Sequence, residues 1–314
     1  MYKVFRQFLL LALCAAPATV IGQAGQPQAG EPQPQPRFHS SADVVTIHAS
    51  VRDKRGHPLT GLITTDFEVL DNGQRRPILS LHSDVRSPVS VAILVDMSGS
   101  MRMGSKIAMA RQAFDSILSQ LRVGEDEVAL LTFDSELHER RGFTRDVPTL
   151  RGALADFDAF GTTSLYDATA EAARRLAARP ATHKAIIVLT DGLDTSSTLT
   201  PAEVSGLASS IDVPVYVVAT VAAGVQRTML DDADRTRLAG AADLRDLAEW
   251  TGGQLVFAVT TTDTVTVASS LITELRQQYV LAIEAASAHE WRRLGIRVKD
   301  PKASVKARTG YFGG

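Results

Sequence analysis

The sequence contains very little cysteine. The single cysteine among 314 residues is Cys14, close to the N-terminus. Because Cys14 lies in a segment that we expect to be removed, the mature chain would contain no thiol. This excludes disulfides, thiolate metal sites and cysteine nucleophiles. Leu13 stands where a lipoprotein signal would carry a small residue, so a lipid anchor on Cys14 is the less favoured alternative.

The chain also lacks a strong charge of either sign. Its formal net charge is −2 at pH 7, and no basic stretch covers a whole face. The long-range field that would recruit nucleic acid is missing, so we expect no nucleic-acid partner. The last predicted strands are locally basic through Arg292, Arg293, Lys299, Lys302, Lys306 and Arg308. We interpret them as a solvated sheet face, with a membrane or polyanion patch as the alternative.

The apolar segment near the N-terminus, residues 8–13, is too short to span a bilayer. Lys3 and Arg6 precede it, and small residues follow it through Gly22. This order is typical of a secretory signal, so we predict a signal peptide at residues 1–22. The protein would then be exported to the periplasm, the cell surface or the medium, with no transmembrane segment in the mature chain.

Common catalytic patterns are missing as well. The seven histidines are scattered without the His-Glu-x-x-His spacing of zinc enzymes. No Gly-x-Ser-x-Gly elbow surrounds Ser98, as a serine hydrolase would need. Residues 99–106 nearly match a phosphate-binding loop, but Ser105 precedes Lys106, whereas a P-loop has lysine first. We therefore predict that the protein is not an enzyme, with a cryptic hydrolase or NTPase as the remaining alternative.

What is present divides the chain into segments. Residues 23–37 are rich in Pro and Gln and predict a disordered linker. Residues 38–87 read as short strands, among them 44–51, 67–70 and 78–81, with an Asn-Gly hairpin turn after the second.

From residue 88 to residue 277, apolar strands alternate with amphipathic helices, which predicts an α/β domain. Its sheet would be doubly wound and mostly parallel, with helices on both faces. Strand signals return over residues 278–314. The two terminal segments are each too short for a secure independent domain. We therefore expect them to pair into one smaller β-sandwich in which the α/β domain is inserted.

Residues 89–96 form an apolar run that ends in Asp96. Such a run predicts a strand buried on both faces of a parallel sheet, and ligand sites of open α/β sheets lie at the carboxyl ends of strands. Ser98 and Ser100 follow on a Gly-containing loop. One carboxylate and two hydroxyls directed at one small volume offer oxygen atoms alone, which suits a hard divalent cation.

This motif, Asp96-x-Ser98-x-Ser100, resembles the start of the metal-ion-dependent adhesion site (MIDAS) of von Willebrand factor A domains. Residues 161–168, Gly-Thr-Thr-Ser-Leu-Tyr-Asp-Ala, and residues 186–192, Ile-Ile-Val-Leu-Thr-Asp-Gly, resemble the two later motifs of that family. The layout with flanking strands, ending in Gly-Tyr at residues 310–311, is similar to an exported bacterial subgroup first catalogued in acidobacteria.

The resemblance implies a Rossmann-like fold and five metal-site residues: Asp96, Ser98, Ser100, Thr163 and Asp191. It implies Mg²⁺, or alternatively Mn²⁺ or Ca²⁺, with one position open for an Asp or Glu of a protein or peptide ligand. The expected function is therefore cation-dependent binding or adhesion, and the alternative is a scaffold whose metal is structural. A third possibility is that Asp96 and Asp191 cap loops without metal. We expect Asp167 and Asp194 to cap helices or support the site rather than ligate.

Overall fold

The computed structural model describes residues 44–83, 85–154, 159–192, 194–220, 241–287 and 289–313. The predicted signal peptide and linker lie outside these ranges. The strands are β1 Val44–Arg52, β2 Phe67–Asp71, β3 Gln74–Arg76, β4 Ile78–Ser83, β5 Val89–Asp96, β6 Glu127–Phe133, β7 Leu137–Thr144, β8 His183–Thr190, β9 Val215–Thr220, β10 Leu255–Ala258, β11 Tyr279–Glu284, β12 Trp291–Val298, β13 Ser304–Ala307 and β14 Gly310–Phe312. The described α-helices are α1 Lys106–Gln120, α2 Leu165–Ala177, α3 Pro201–Ser210, α4 Ala241–Thr251 and α5 Thr261–Arg276.

The central sheet has six strands in the order β10-β9-β8-β5-β6-β7. All its pairings are parallel except β6 with β7, which is antiparallel. Strand β5 lies in the middle and every one of its residues is buried. Val91, Ile93 and Val95 pack with α1 and α5, whereas Ala92 and Leu94 pack with α2, α3 and α4. Helices therefore cover both faces, which confirms the mixed α/β, mostly parallel prediction.

Two smaller antiparallel sheets are built from strands of both ends of the chain. Their orders are β13-β1-β11-β4 and β14-β12-β2-β3, and apolar residues of both sheets belong to one buried cluster. The hairpin turn at Asn72 and Gly73 is present, and both residues have positive φ, as a type I′ turn requires. It leads into the short strand β3, while β4 pairs with β11 in the other small sheet.

These three sheets belong to one compact unit, Ala42–Gly314. Within the described residues, the helices are all too short or too polar to cross a membrane.

Candidate metal site

The site lies at the carboxyl ends of two neighbouring strands. Strands β5 and β8 run parallel, and Val95 pairs with Leu189 immediately before the strands end. Asp96 ends β5, and Asp191 follows the last residue of β8. Because β5 and β8 both end at the same edge of the sheet, the two carboxylates are brought together, as the sequence predicted.

The Asp96 side chain is fully buried, with 0% of the residue exposed. Its Oδ1 accepts a hydrogen bond from the Ser98 backbone N–H at 2.8 Å, and its Oδ2 accepts one from the Thr190 hydroxyl at 2.6 Å. Burial raises the pKa of Asp96 to about 6, because removal from water disfavours the charged form. The hydrogen bonds counteract this shift, and the charge on Asp191 adds to it.

Ser98 and Ser100 place their hydroxyls side by side, with the two Oγ atoms 3.0 Å apart. Ser98 precedes a 3-10 helix, Gly99–Arg102, which turns the chain away from the sheet and into α1. The N–H of Gly99 donates to the carbonyl of Gly161 at 3.0 Å. That bond fastens the loop after β5 to the loop that carries Thr163.

Thr163 is buried, and its backbone is held by the segment after β8. Its N–H donates to the Thr195 hydroxyl at 2.9 Å, and its carbonyl accepts from the N–H groups of Thr195 and Ser196 at 2.9 and 3.0 Å. The loops after β5, after β7 and after β8 are therefore connected by backbone hydrogen bonds, and each carries one predicted part of the site.

Asp191 has one paired and one unpaired oxygen. Its Oδ2 lies 2.7 Å from the ammonium of Lys106, the first residue of α1. Its Oδ1 is buried without a hydrogen-bond partner among the described residues. Sequence reasoning considered Lys106 as part of a failed P-loop and missed this ion pair. A signal was available, since a lysine at the start of a helix is unfavourable there and calls for a nearby carboxylate.

The residues present fit a hard divalent cation. Two carboxylates and three hydroxyls supply oxygen donors, and the orphaned Asp191 Oδ1 is a buried charged atom that a bound cation would satisfy. Over the described ranges, His, Cys, Asp and Glu side chains form no group of three that could hold a metal. A metal site in these ranges would therefore need donors of another kind, such as hydroxyl oxygens.

Asp194 and Asp167 direct their carboxylates to backbone N–H groups. Asp194 Oδ2 accepts from Leu165 N–H at 2.8 Å at the start of α2. The two oxygens of Asp167 accept from the N–H groups of Thr198 and Leu199, each at 2.9 Å. Both aspartates therefore fix the loop after β8 against α2, and Asp194 caps the start of α2.

A cavity of about 890 Å³ lies elsewhere, lined by residues of α3, α4, β12 and β14. Trp250, Trp291 and Phe312 supply its aromatic surface, and none of the five predicted metal-site residues lines it. This cavity is therefore separate from the oxygen cluster.

Residues 91–193 match the family model of the von Willebrand factor type A domain. The match begins in β5 and ends two residues after Asp191, so it contains all five predicted metal-site residues. A von Willebrand factor type A domain therefore lies within this chain. No curated protein matches the chain.

Several solved structures are similar to the chain at low identity. A von Willebrand factor type A protein from Catenulispora acidiphila is 14% identical with a TM-score of 0.48, covering 88% of this chain and 76% of that one. The conserved hypothetical protein BatB from Bacteroides thetaiotaomicron is 18% identical with a TM-score of 0.46, covering 60% and 98%. Proximal thread matrix protein 1 from the mussel byssus, with a zinc-occupied MIDAS motif, is 14% identical with a TM-score of 0.48, covering 65% and 50%.

Proposed function

We propose that the von Willebrand factor type A domain makes this chain a non-enzymatic binding protein, which engages a protein or peptide ligand through a divalent cation. The cation would be held by Asp96, Ser98, Ser100, Thr163 and Asp191. The observation that carries the proposal is the pair of buried carboxylates at adjacent strand ends, one with an unsatisfied buried oxygen, beside two hydroxyls 3.0 Å apart. We propose Mg²⁺ as the ion, because the donors are all oxygen atoms. Mn²⁺ and Ca²⁺ also prefer oxygen donors and are the alternatives.

When bound, the ion supplies a coordination position that a carboxylate of the partner can fill. The residues of the protein orient the ligands of the ion and connect the loops that carry them. Hydrogen bonds from Ser98 N–H and the Thr190 hydroxyl hold Asp96 in one orientation. The links from Gly99 to Gly161 and from Thr163 to Thr195 keep the three loops in register. Such a preorganised set of oxygens binds an ion with little further ordering.

A structural metal is the second candidate. Asp96, Ser98, Thr163 and the side chain of Asp191 are buried, which favours a closed site. Ser100 is partly exposed and leaves one side accessible. Under this alternative the metal would stiffen the domain, and a partner would bind elsewhere. A competition experiment distinguishes a ligand-binding metal from a structural one. If an acidic peptide displaces the partner only while the ion is bound, the result supports the ligand-binding role.

Nucleotide hydrolysis finds less support. The ammonium of Lys106, which a P-loop would direct at phosphate oxygens, lies 2.7 Å from the Asp191 carboxylate. A phosphate at this position would meet the two carboxylates of the cluster, and like charges repel. We therefore place NTPase activity behind both binding proposals.

We further propose the domain layout and export inferred from the sequence. A signal peptide at 1–22 and a linker at 23–37 would precede a β-sandwich formed by 38–87 and 278–314, with the α/β domain of 88–277 inserted between them. Each of the two small sheets contains strands from both ends of the chain, which supports the shared sandwich. The exported protein would reside in the periplasm, on the cell surface or in the medium.

The experiment that tests the function is capture of partners from the native cell envelope, with purified protein as bait in Mg²⁺ or in EDTA. Asp96→Asn is the site variant, and Asp115→Asn, an exposed aspartate on α1, is the matched control. A partner retained by wild type and Asp115→Asn in Mg²⁺, released by EDTA and absent from Asp96→Asn supports the proposal. A partner held equally by all three proteins in EDTA contradicts it.

A further inference from the structure

Lys106 occupies an unusual electrostatic position. It is the first residue of α1, and the first turn of this helix contains no acidic residue. A positive charge at a helix N-terminus is unfavourable because the helix dipole is positive there. The Lys106 side chain is also only 13% exposed, so water compensates little of that cost.

The position is explained by the oxygen cluster that Lys106 faces. Its ammonium lies 2.7 Å from Asp191 Oδ2 and 3.4 Å from the carbonyl oxygen of Ser100. The Asp191 side chain is 2% exposed, and a buried carboxylate needs a positive partner. In the arrangement described here that partner is Lys106, and a second buried carboxylate, Asp96, lies close enough for its pKa to be raised by Asp191.

We propose that Lys106 is a tethered counter-cation of the metal site, which neutralises Asp191 in the metal-free protein and competes with the divalent ion for this carboxylate. The inference rests on the proposed function, because it concerns the same site. It adds that the domain is built to fold without metal and that Lys106 lowers its affinity for the ion. Lys106 is thus a positioning residue that sets the ion concentration at which the site becomes loaded.

Two physical consequences follow. The ammonium and a bound divalent ion would lie close together in a poorly solvated site, where like charges repel strongly. Wild type should therefore bind the ion more weakly than a variant without the Lys106 charge. Ion binding should also free the ammonium from Asp191, because the carboxylate cannot satisfy both cations equally. The first consequence is measured as an affinity and the second as the chemical reactivity of Lys106.

The first test is calorimetric titration with Mg²⁺ of wild type, Lys106→Met and Lys302→Met. Lys302 is exposed in the turn before β13, so Lys302→Met removes the same charge away from the site. We expect Lys106→Met to bind Mg²⁺ about tenfold more tightly, or more, and Lys302→Met to match wild type. Equal affinities in all three proteins would overturn the role of Lys106 and leave the metal site in place. No Mg²⁺ binding in any of them would overturn the proposed function together with the competition.

The second test uses the wild-type chain and needs no variant to fold. Lysines are acetylated with an N-hydroxysuccinimide ester in EDTA or in saturating Mg²⁺, and each site is quantified by mass spectrometry. Mg²⁺ should raise the acetylation rate of Lys106 several-fold and leave that of Lys302 unchanged. An unchanged rate at Lys106, in protein shown by calorimetry to be loaded, would contradict displacement of its ammonium.

A third readout concerns the metal-free state. In EDTA, Lys106→Met should melt at a lower temperature than Lys302→Met, because Asp191 loses its partner. Adding Asp191→Asn to Lys106→Met should recover much of the loss, since the unpaired charge is then gone. Melting temperatures that do not differ between the two single variants would show that Lys106 is not the counter-cation.

Discussion

The Asp96 carboxylate stabilises the local structure through hydrogen bonds and is also a proposed ligand of the metal ion. It accepts hydrogen bonds from Ser98 N–H and the Thr190 hydroxyl, and alanine would leave both buried donors unsatisfied, at a cost of about 1–3 kcal/mol each. Asparagine keeps the shape, removes the charge and retains one acceptor oxygen for the Ser98 N–H. Its NH2 group replaces the second acceptor and can donate to the Thr190 hydroxyl, which is free to rotate. Asp96→Asn therefore separates loss of the metal from loss of the local structure.

We predict that Mg²⁺ stabilises wild type and does not stabilise Asp96→Asn. At an ion concentration one hundred times the dissociation constant, mass action adds about 2.7 kcal/mol to the free energy of unfolding. Ser98→Ala should retain part of this response, because a neutral hydroxyl contributes less than a charged ligand. The measurement is thermal unfolding with and without Mg²⁺. Equal melting shifts in wild type and Asp96→Asn would show that the ion binds elsewhere.

The site residues differ in how well the sequence predicted them. Asp96 and Asp191 could be paired in advance, because each follows an apolar run and parallel strands end at one edge of a sheet. A lysine at the start of a helix indicates that some carboxylate lies nearby, but the sequence does not identify Asp191 as that carboxylate, because the pair joins residues 85 positions apart through the orientation of a helix. The two carboxylates therefore meet beside a positive charge even without a metal ion, because Lys106 provides one.

Another buried carboxylate, that of Asp126, predicts how the protein responds to acid. Burial alone would raise the pKa of Asp126, but hydrogen bonds from Arg276 and Arg122 outweigh burial and lower it to about 2. Because the folded pKa lies below the unfolded value, this contribution is present above about pH 4 and is lost as the pH falls toward 2. Its size is roughly 2 kcal/mol.

The variant that isolates this effect is Asp126→Asn, whose amide does not titrate. The difference in unfolding free energy between wild type and Asp126→Asn should be constant from pH 5 to pH 7. It should shrink by roughly 2 kcal/mol between pH 4 and pH 2. Denaturant unfolding at each pH measures it, and a difference independent of pH would contradict the lowered pKa.

At the scale of elements, patterns that depend on neighbours in sequence were predictable. Thr200-Pro201-Ala202-Glu203 is a sequence pattern typical of a helix start, and Thr200 indeed caps α3 and exchanges hydrogen bonds with Glu203 in a capping box. Strand β7, whose middle reads His138-Glu139-Arg140-Arg141, carries no apolar run and was missed. It is an edge strand paired on one side, so β6 alone determines that it is a strand.

Two glycines give opposite predictions for the same substitution. A Cβ on Gly253, between α4 and β10, would lie 2.1 Å from the backbone oxygen of Val215, and a backbone atom cannot move aside cheaply. A Cβ on Gly206, within α3, would meet nothing within 4 Å. We therefore expect Gly253→Ala to destabilise the protein by about 1–3 kcal/mol or more, and Gly206→Ala to stabilise it by about 0.5–1 kcal/mol. Chemical denaturation of both variants tests this, and equal midpoints would contradict the close approach.

At the scale of the whole molecule, the α/β part and the small sheets share buried charges. Glu274 of α5 forms ion pairs with Arg52 of β1 and Lys306 of β13. Asp212, after α3, pairs with His48 of β1 and Arg308, which follows β13. These contacts join segments far apart in sequence, so composition and periodicity could not predict them. They indicate that the two parts stabilise each other.

The shared small sheets lead to a prediction for truncated chains. A chain ending at Gln277 loses β11 to β14 and leaves β1 without either of its strand partners. Val45, Ile47 and Val51, buried against these strands in the full chain, would become exposed. We expect this chain to bind a hydrophobic dye and aggregate, because unpaired strands with apolar faces associate.

A fragment of residues 88–277 should behave differently, because it keeps all six strands of the central sheet and the helices that cover it. We expect it to fold cooperatively, with a lower melting temperature than the full chain, since Glu274 and Asp212 lose their partners from the small sheets. Circular dichroism during heating measures both properties. A fragment of residues 38–87 that is soluble and unfolds cooperatively by itself would contradict the shared sandwich, because its strands would then not need those of residues 278–314.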